Sequence, residues 1–210
     1  KLRNYTNIRP LYLSLPETNN SVSVSDAFCW RTDNGYETEI RFLDVLKLFY
    51  RLDKTQCEII FYTSEGKKIK SIRYNNLQNV NSLKIDKKLL NGIENYGTFY
   101  IFHETQENIK NIIVSNKCYT GFSKNNCLPS FVHGNTYAKQ RVFNNTKEKS
   151  EIIHTSNKKH TYKIQKNFSN IDSCELFFAN PTSSQIKFSI NKKNYILKVG
   201  CSKIIKLNNI

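Results

Sequence analysis

Of the four histidines in the chain, His133 has the most suggestive setting. It ends the run Ser130-Phe131-Val132-His133-Gly134-Asn135, where an apolar segment meets a turn. A titratable ring at such a place is within reach of a ligand. Gly134 has access to positive φ and lets backbone N–H groups approach a ligand. Asn135 has the amide to orient a hydroxyl or a carbonyl. The alternative is a hairpin end in which His133 only bonds backbone.

Trp30-Arg31 with Asp33 forms a second constellation, built on the one Trp of the chain. An indole stacks on a sugar ring or a base while a flanking Arg and Asp fix its orientation. The alternative is a core Trp followed by turn residues. Tyr119, Phe122, Phe131 and Tyr137 form a third group, with Gly121 allowing a bend. They line a groove or pack two lobes together. The ligand-binding set read from the sequence is therefore Trp30, Arg31, Tyr119, His133 and Asn135.

Catalytic signatures are weaker. A Cys–His pair of Cys118 or Cys127 with His133 is conceivable, but such pairs assemble in space and spacing says little. Both cysteines are expected to pack rather than react. His103, His133, His154 and His160 show no metal-ligand spacing, and no cysteine pair forms a CxxC. Asp26, Asp33, Glu37, Glu39 and Asp44 cluster early without the context of a glycosidase pair. Phosphate-loop and dinucleotide fingerprints are missing, as are aromatic RNA-binding motifs. No catalytic residue, metal or cofactor is assigned.

The elements that must position these residues are short strands. The chain has 210 residues, 39% apolar and 12% aromatic, enough for one large β domain or two small ones. Cys57 to Tyr62, Thr98 to His103 and Cys174 to Ala179 are apolar, β-branched or aromatic runs that read as strands. Segments at 69–74, 82–90, 111–115, 151–154, 161–165, 185–190, 195–199 and 203–207 continue the pattern. Residues 36–52 read as a strand followed by one or two helical turns ending near Asp53. Residues 1–25 read as an extended lead-in with a turn at 16–20. Residues 139–150 read as a polar loop.

A short internal repeat supports two lobes. Cys57-Glu58-Ile59-Ile60-Phe61 resembles Cys174-Glu175-Leu176-Phe177-Phe178, and Ile69-Lys70 and Ile186-Lys187 follow at the same offset. The expected fold is all-β, with two tandem sandwich-like lobes of immunoglobulin-like or jelly-roll-like character, related by internal duplication or by a shared hairpin pattern. The immunoglobulin order of Cys, Trp and Cys is not present. The expected boundaries are 1–115 for the first lobe, 116–138 for a connecting stretch carrying the site, and 139–210 for the second lobe.

The formal charge is +15. It suits an anionic partner, or it reflects a Lys- and Asn-rich composition with the charges spread over turns. No apolar run approaches the ~18 residues of a membrane span, and the N-terminus lacks a signal-like apolar region. Both features favour a cytoplasmic setting, although a chain beginning with Lys leaves a removed leader open. The expected function is a non-enzymatic binding module for a polar or anionic ligand such as a surface saccharide. The alternatives are a carbohydrate- or acyl-processing enzyme with His133 as general base, and a basic nucleic-acid-binding protein, of which nucleic acid is the less favoured partner.

Overall fold

Alternation of apolar and polar residues sorts most of this chain into two packed sheets. The structure is a computed structural model describing residues 11–13, 20–116, 118–125, 127–145, 149–150, 153–155, 161 and 173–208. It is nearly all β, with 60% of the described residues in strands and 4% in helix. The strands are β1 (Leu11–Leu13), β2 (Val22–Arg31), β3 (Tyr36–Leu43), β4 (Thr55–Thr63), β5 (Lys68–Tyr74), β6 (Val80–Ile85), β7 (Tyr96–Thr105), β8 (Ile113–Ser115) and β9 (Cys118–Lys124). They continue with β10 (Ser130–His133), β11 (Asn135–Val142), β12 (Lys149–Ser150), β13 (Ile153–Thr155), β14 (Ser173–Ala179), β15 (Ile186–Ile190), β16 (Lys193–Leu197) and β17 (Ser202–Asn208). One helical turn and a half, α1 (Val45–Tyr50), follows β3.

A seven-stranded sheet runs β12-β11-β2-β7-β4-β5, with β8 pairing β2 in parallel. A four-stranded sheet runs β10-β9-β3-β6. The two face each other across a core of Phe28, Trp30, Ile40, Phe42, Cys57, Ile59, Phe61, Ile85, Phe99, Ile101 and Cys118. Each strand contributes every second residue, as a pleated surface covered on one face requires. β7 is buried from Gly97 to Thr105, on both faces, which is why Thr98 to His103 is a nearly unbroken apolar run. Its other face packs Tyr100 and Phe102 with Val22, Val24, Ile60 and Ala138. Where β2 leaves β7, the Ser23 and Ser25 hydroxyls accept the His103 and Ile101 backbone N–H groups, each at 2.8 Å. The alternating serines of Val22 to Ser25 thus stand in for missing ladder bonds.

The stretch expected to join two lobes is woven into this sandwich. β9 pairs along β3 and with β10 in one sheet, and β11 pairs along β2 in the other. The sandwich therefore continues through Val142, past the expected boundary at 115, and β11 occupies the start of the expected polar loop. Strand pairing over such a sequence distance is not encoded in local alternation.

β14 pairs β17 and β15 pairs β16, forming a smaller C-terminal unit. Asn180 organises it: its buried amide donates to Ser184, Leu197 and Lys198 carbonyls at 2.9, 3.0 and 3.1 Å. The repeated segments have different partners. β4 is a central strand with β5 as its hairpin mate, whereas β14 pairs β17 and leaves β15 to β16. Pairing alone does not carry the duplication. The expected strand at 161–165 falls almost wholly outside the described residues, as does the expected turn at 16–20 apart from Asn20.

Candidate functional site

β3 reads Glu37-Thr38-Glu39-Ile40-Arg41-Phe42, and its alternation fixes which face of the four-stranded sheet meets solvent. Thr38, Ile40 and Phe42 are buried, while Glu37, Glu39 and Arg41 face outward. Register carries that face across the sheet. Arg41 lies beside Tyr119 of β9, and Tyr119 beside His133 of β10. Glu39 lies beside Gly121, and Gly121 beside Phe131. On the far side, Ser82 and Lys84 of β6 lie beside Arg41 and Glu39.

The outward side chains form a shallow aromatic and charged platform. The Tyr119 and His133 rings stand 4.6 Å apart, tilted by 46°. Tyr119 is 45% exposed and His133 is exposed as well. Phe131 lies flat over Gly121, where a Cβ would come within 2.7 Å of its ring. Any side chain at 121 would lift that ring, so this Gly is needed for space. The Arg41 guanidinium sits 4.7 Å from the Phe131 centroid and bonds Glu39 at 2.7 Å. Lys84 pairs with Glu37 at 2.7 Å, and this contact raises the lysine pKa above its usual value. Exposed pairs of this kind contribute little to stability and exchange readily with a ligand's polar groups.

Of the residues read from the sequence, the fold brings Tyr119 and His133 together on this platform. Asn135 opens β11 opposite Ala27, in the other sheet, and its side chain lies outside the described structure. Gly134 does not take positive φ. It is needed for a different reason: a Cβ there would meet the Phe28 ring at 2.2 Å.

Trp30 and Arg31 are elsewhere. Trp30 is 0% exposed, and its indole N–H donates to the Tyr62 and Thr98 carbonyls at 2.9 and 3.1 Å. The core alternative is the one the fold adopts, and no face of the indole is open to a ligand. Arg31 is buried, bonds Asp33 through Nε and Nη2 at 2.9 Å each, reaches Glu175 of β14 at 2.5 Å and covers the Tyr36 ring at 3.7 Å. Burial opposes its charge, but bonds to the two carboxylates outweigh this and its pKa is raised. Its role is to hold the C-terminal unit against the sandwich.

The thiols divide. Cys57 and Cys118 are in the core, where burial pushes both well above the usual thiol range. Cys127, expected as packing, is exposed in the β9–β10 loop. His103 lies opposite Cys57, wholly buried, with neither ring nitrogen bonded among the described residues. Burial lowers its pKa to about 4, partly opposed by the charge of Asp44. Among the described residues no hydrogen bond joins His133 to a cysteine or a carboxylate, the partner that general-base chemistry would need.

No family model, no curated protein and no solved structure matches this chain. The platform is thus read on its own chemistry. Phe131, one of the aromatics expected to line a groove or pack lobes, and Arg41, which was not singled out, complete it. The signal for Arg41 was the charged-apolar alternation of β3. Placing it beside Tyr119 required the β3–β9 register.

Proposed function

We propose that this protein is a non-enzymatic β-sandwich binding module whose ligand, a polar or anionic saccharide, lies across the outer face of the four-stranded sheet. The observation that carries the reading is the exposed Tyr119–His133 ring pair beside the Arg41–Phe131 stack. Ring faces of this kind accept the apolar face of a sugar, and the adjoining guanidinium, imidazole and phenol serve its hydroxyls or a carboxylate. An open sheet face suits an extended chain of sugar units better than a small molecule, which needs a concave pocket.

Stacking platforms with nearby cations also bind single-stranded nucleic acid. Here Arg41 and Lys84 are each paired to a glutamate, so the face has alternating charge and no continuous basic track. A saccharide fits this pattern better.

A glycan array followed by calorimetric titration tests the reading. Tyr119→Ala and His133→Ala should each weaken binding by about tenfold, as loss of one stacking partner of ~1.4 kcal/mol implies. Binding untouched by both substitutions, or no binding to any glycan, sinks the assignment. Affinity for an oligonucleotide that falls steeply with salt would support the nucleic-acid reading instead.

A further inference from the structure

We infer that the tip formed by α1 and the turn after it, residues 47–54, docks on an anionic lipid membrane. This surface is separate from the sheet face and is argued from different observations. Leu48, Phe49 and Tyr50 are 42%, 66% and 41% exposed. Three large apolar side chains in succession at the surface are not the scattered exposure that any protein shows. All residues from Lys47 to Arg51 are exposed. Val45 and Leu46 anchor α1 in a small core with Val114 and Leu52, and the exposed residues follow them directly at the end of the helix.

Charge identifies the occupant. Lys47, Arg51 and Lys54 surround the apolar side chains, are exposed, and form no ion pair among the described residues. The nearby acids are Asp44, Asp53 and Glu107: Asp44 is buried and caps α1 by accepting the Lys47 N–H at 3.0 Å, Asp53 is exposed in the turn, and Glu107 accepts the Asp53 and Lys54 backbone N–H groups at 3.1 Å. An exposed apolar turn flanked by cations matches a bilayer. Aromatic rings enter the headgroup layer while cations stay level with lipid phosphates. A protein partner would have to supply a groove for the same tip. The formal +15 of the chain adds long-range attraction to the same surface.

The cap residue sharpens the argument. Arg51 ends α1 in the left-handed conformation, at φ 58° and ψ 38°, its N–H donating to the Lys47 carbonyl at 3.1 Å while the Leu52 N–H reaches the Leu46 carbonyl at 3.5 Å. Glycine takes this conformation with least strain, whereas an arginine there carries a backbone cost. The cost comes with a guanidinium at the tip.

The experiment is sedimentation of the full chain with vesicles of phosphatidylcholine alone and of phosphatidylcholine mixed with phosphatidylserine. Binding is expected to the mixed vesicles only, and to weaken as salt is raised. Phe49→Ala should lower partitioning about tenfold. Arg51→Gly should lower it about fivefold, the worth of one cation near an anionic surface, while the thermal midpoint stays level or rises. Gain in stability with loss of binding is not what a merely structural Arg51 would give. The inference is overturned if mixed vesicles bind no protein. It is equally overturned if both variants bind as the wild type does, which would assign attraction to overall charge. Self-association that Phe49→Ala abolishes, without vesicle binding, would make the tip a protein interface.

Discussion

Trp30 and Tyr119 show how differently two aromatic residues serve this chain. Both sit in strands, yet one closes the core with two hydrogen bonds and the other lies open beside a histidine. Trp30→Ala should therefore act on stability, costing about 4 kcal/mol through lost burial and two stranded carbonyls. Denaturant melts check this, and an unchanged midpoint would contradict a core role. His103 makes a second prediction at this scale. Its folded pKa is lowered from 6.5 to about 4, so the neutral ring is the native form. The unfolded chain takes up the proton first as pH falls. Stability contributed by the neutral ring is thus present above pH 6.5 and lost as pH falls toward about 4. The loss amounts to about 3 kcal/mol. His103→Leu should flatten that part of the pH profile of unfolding, and a variant with the wild-type slope would refute the assignment.

At the scale of elements, the sheets were legible where alternation is local. Cys57 to Tyr62 and Thr98 to His103 read as strands because β-branched and aromatic residues dominate them, and they form β4 and β7. The strand and helical turn within residues 36–52 were also readable, since polar alternation gives way there to a helical stripe. Position in the sheet was not readable. Cys118 to Ala138 looked like a connection because glycine, proline and cysteine punctuate it. In the fold these glycines serve packing: Gly121 leaves room for Phe131, and Gly134 leaves room for Phe28. Gly134→Ala would press a methyl into a ring of the core, so a cost of about 2 kcal/mol is expected in a thermal or denaturant melt. A neutral substitution would show that Phe28 yields without strain. Most of the candidate site was legible in the same sense. Tyr119, Phe131 and His133 stood out by residue type, whereas Arg41 entered only through strand register.

At the scale of the whole molecule, the described residues form a separate β1–β13 strand pair and a sandwich with a smaller C-terminal β unit attached to it. Arg31 links them, bonding Asp33 within the sandwich and Glu175 in β14, while Phe177 packs against Tyr96 and Phe122. The Ser202 N–H also donates to the Ser64 carbonyl at 2.8 Å. Arg31→Ala removes the shared cation and leaves both carboxylates, one on each unit, without it. It should cost about 2 kcal/mol and loosen the C-terminal unit before the sandwich melts. Hydrogen exchange would register this as faster exchange in β14 and β17 alone. Exchange rising evenly across β4 and β7 would argue against Arg31 as a link between units. Among the described residues no helix is long and apolar enough to cross a membrane, so the proposed lipid contact at α1 is a surface one.

On the proposed function, the outer face of the four-stranded sheet is the ligand face. Amide chemical-shift mapping tests it most directly, with the strongest glycan from an array titrated into isotope-labelled protein. Perturbations are expected to concentrate on β9, β10 and β3, around Tyr119, Phe131, His133 and Arg41, and to be lost in Tyr119→Ala. Perturbations concentrated instead on the C-terminal unit, or on the seven-stranded sheet, would contradict it.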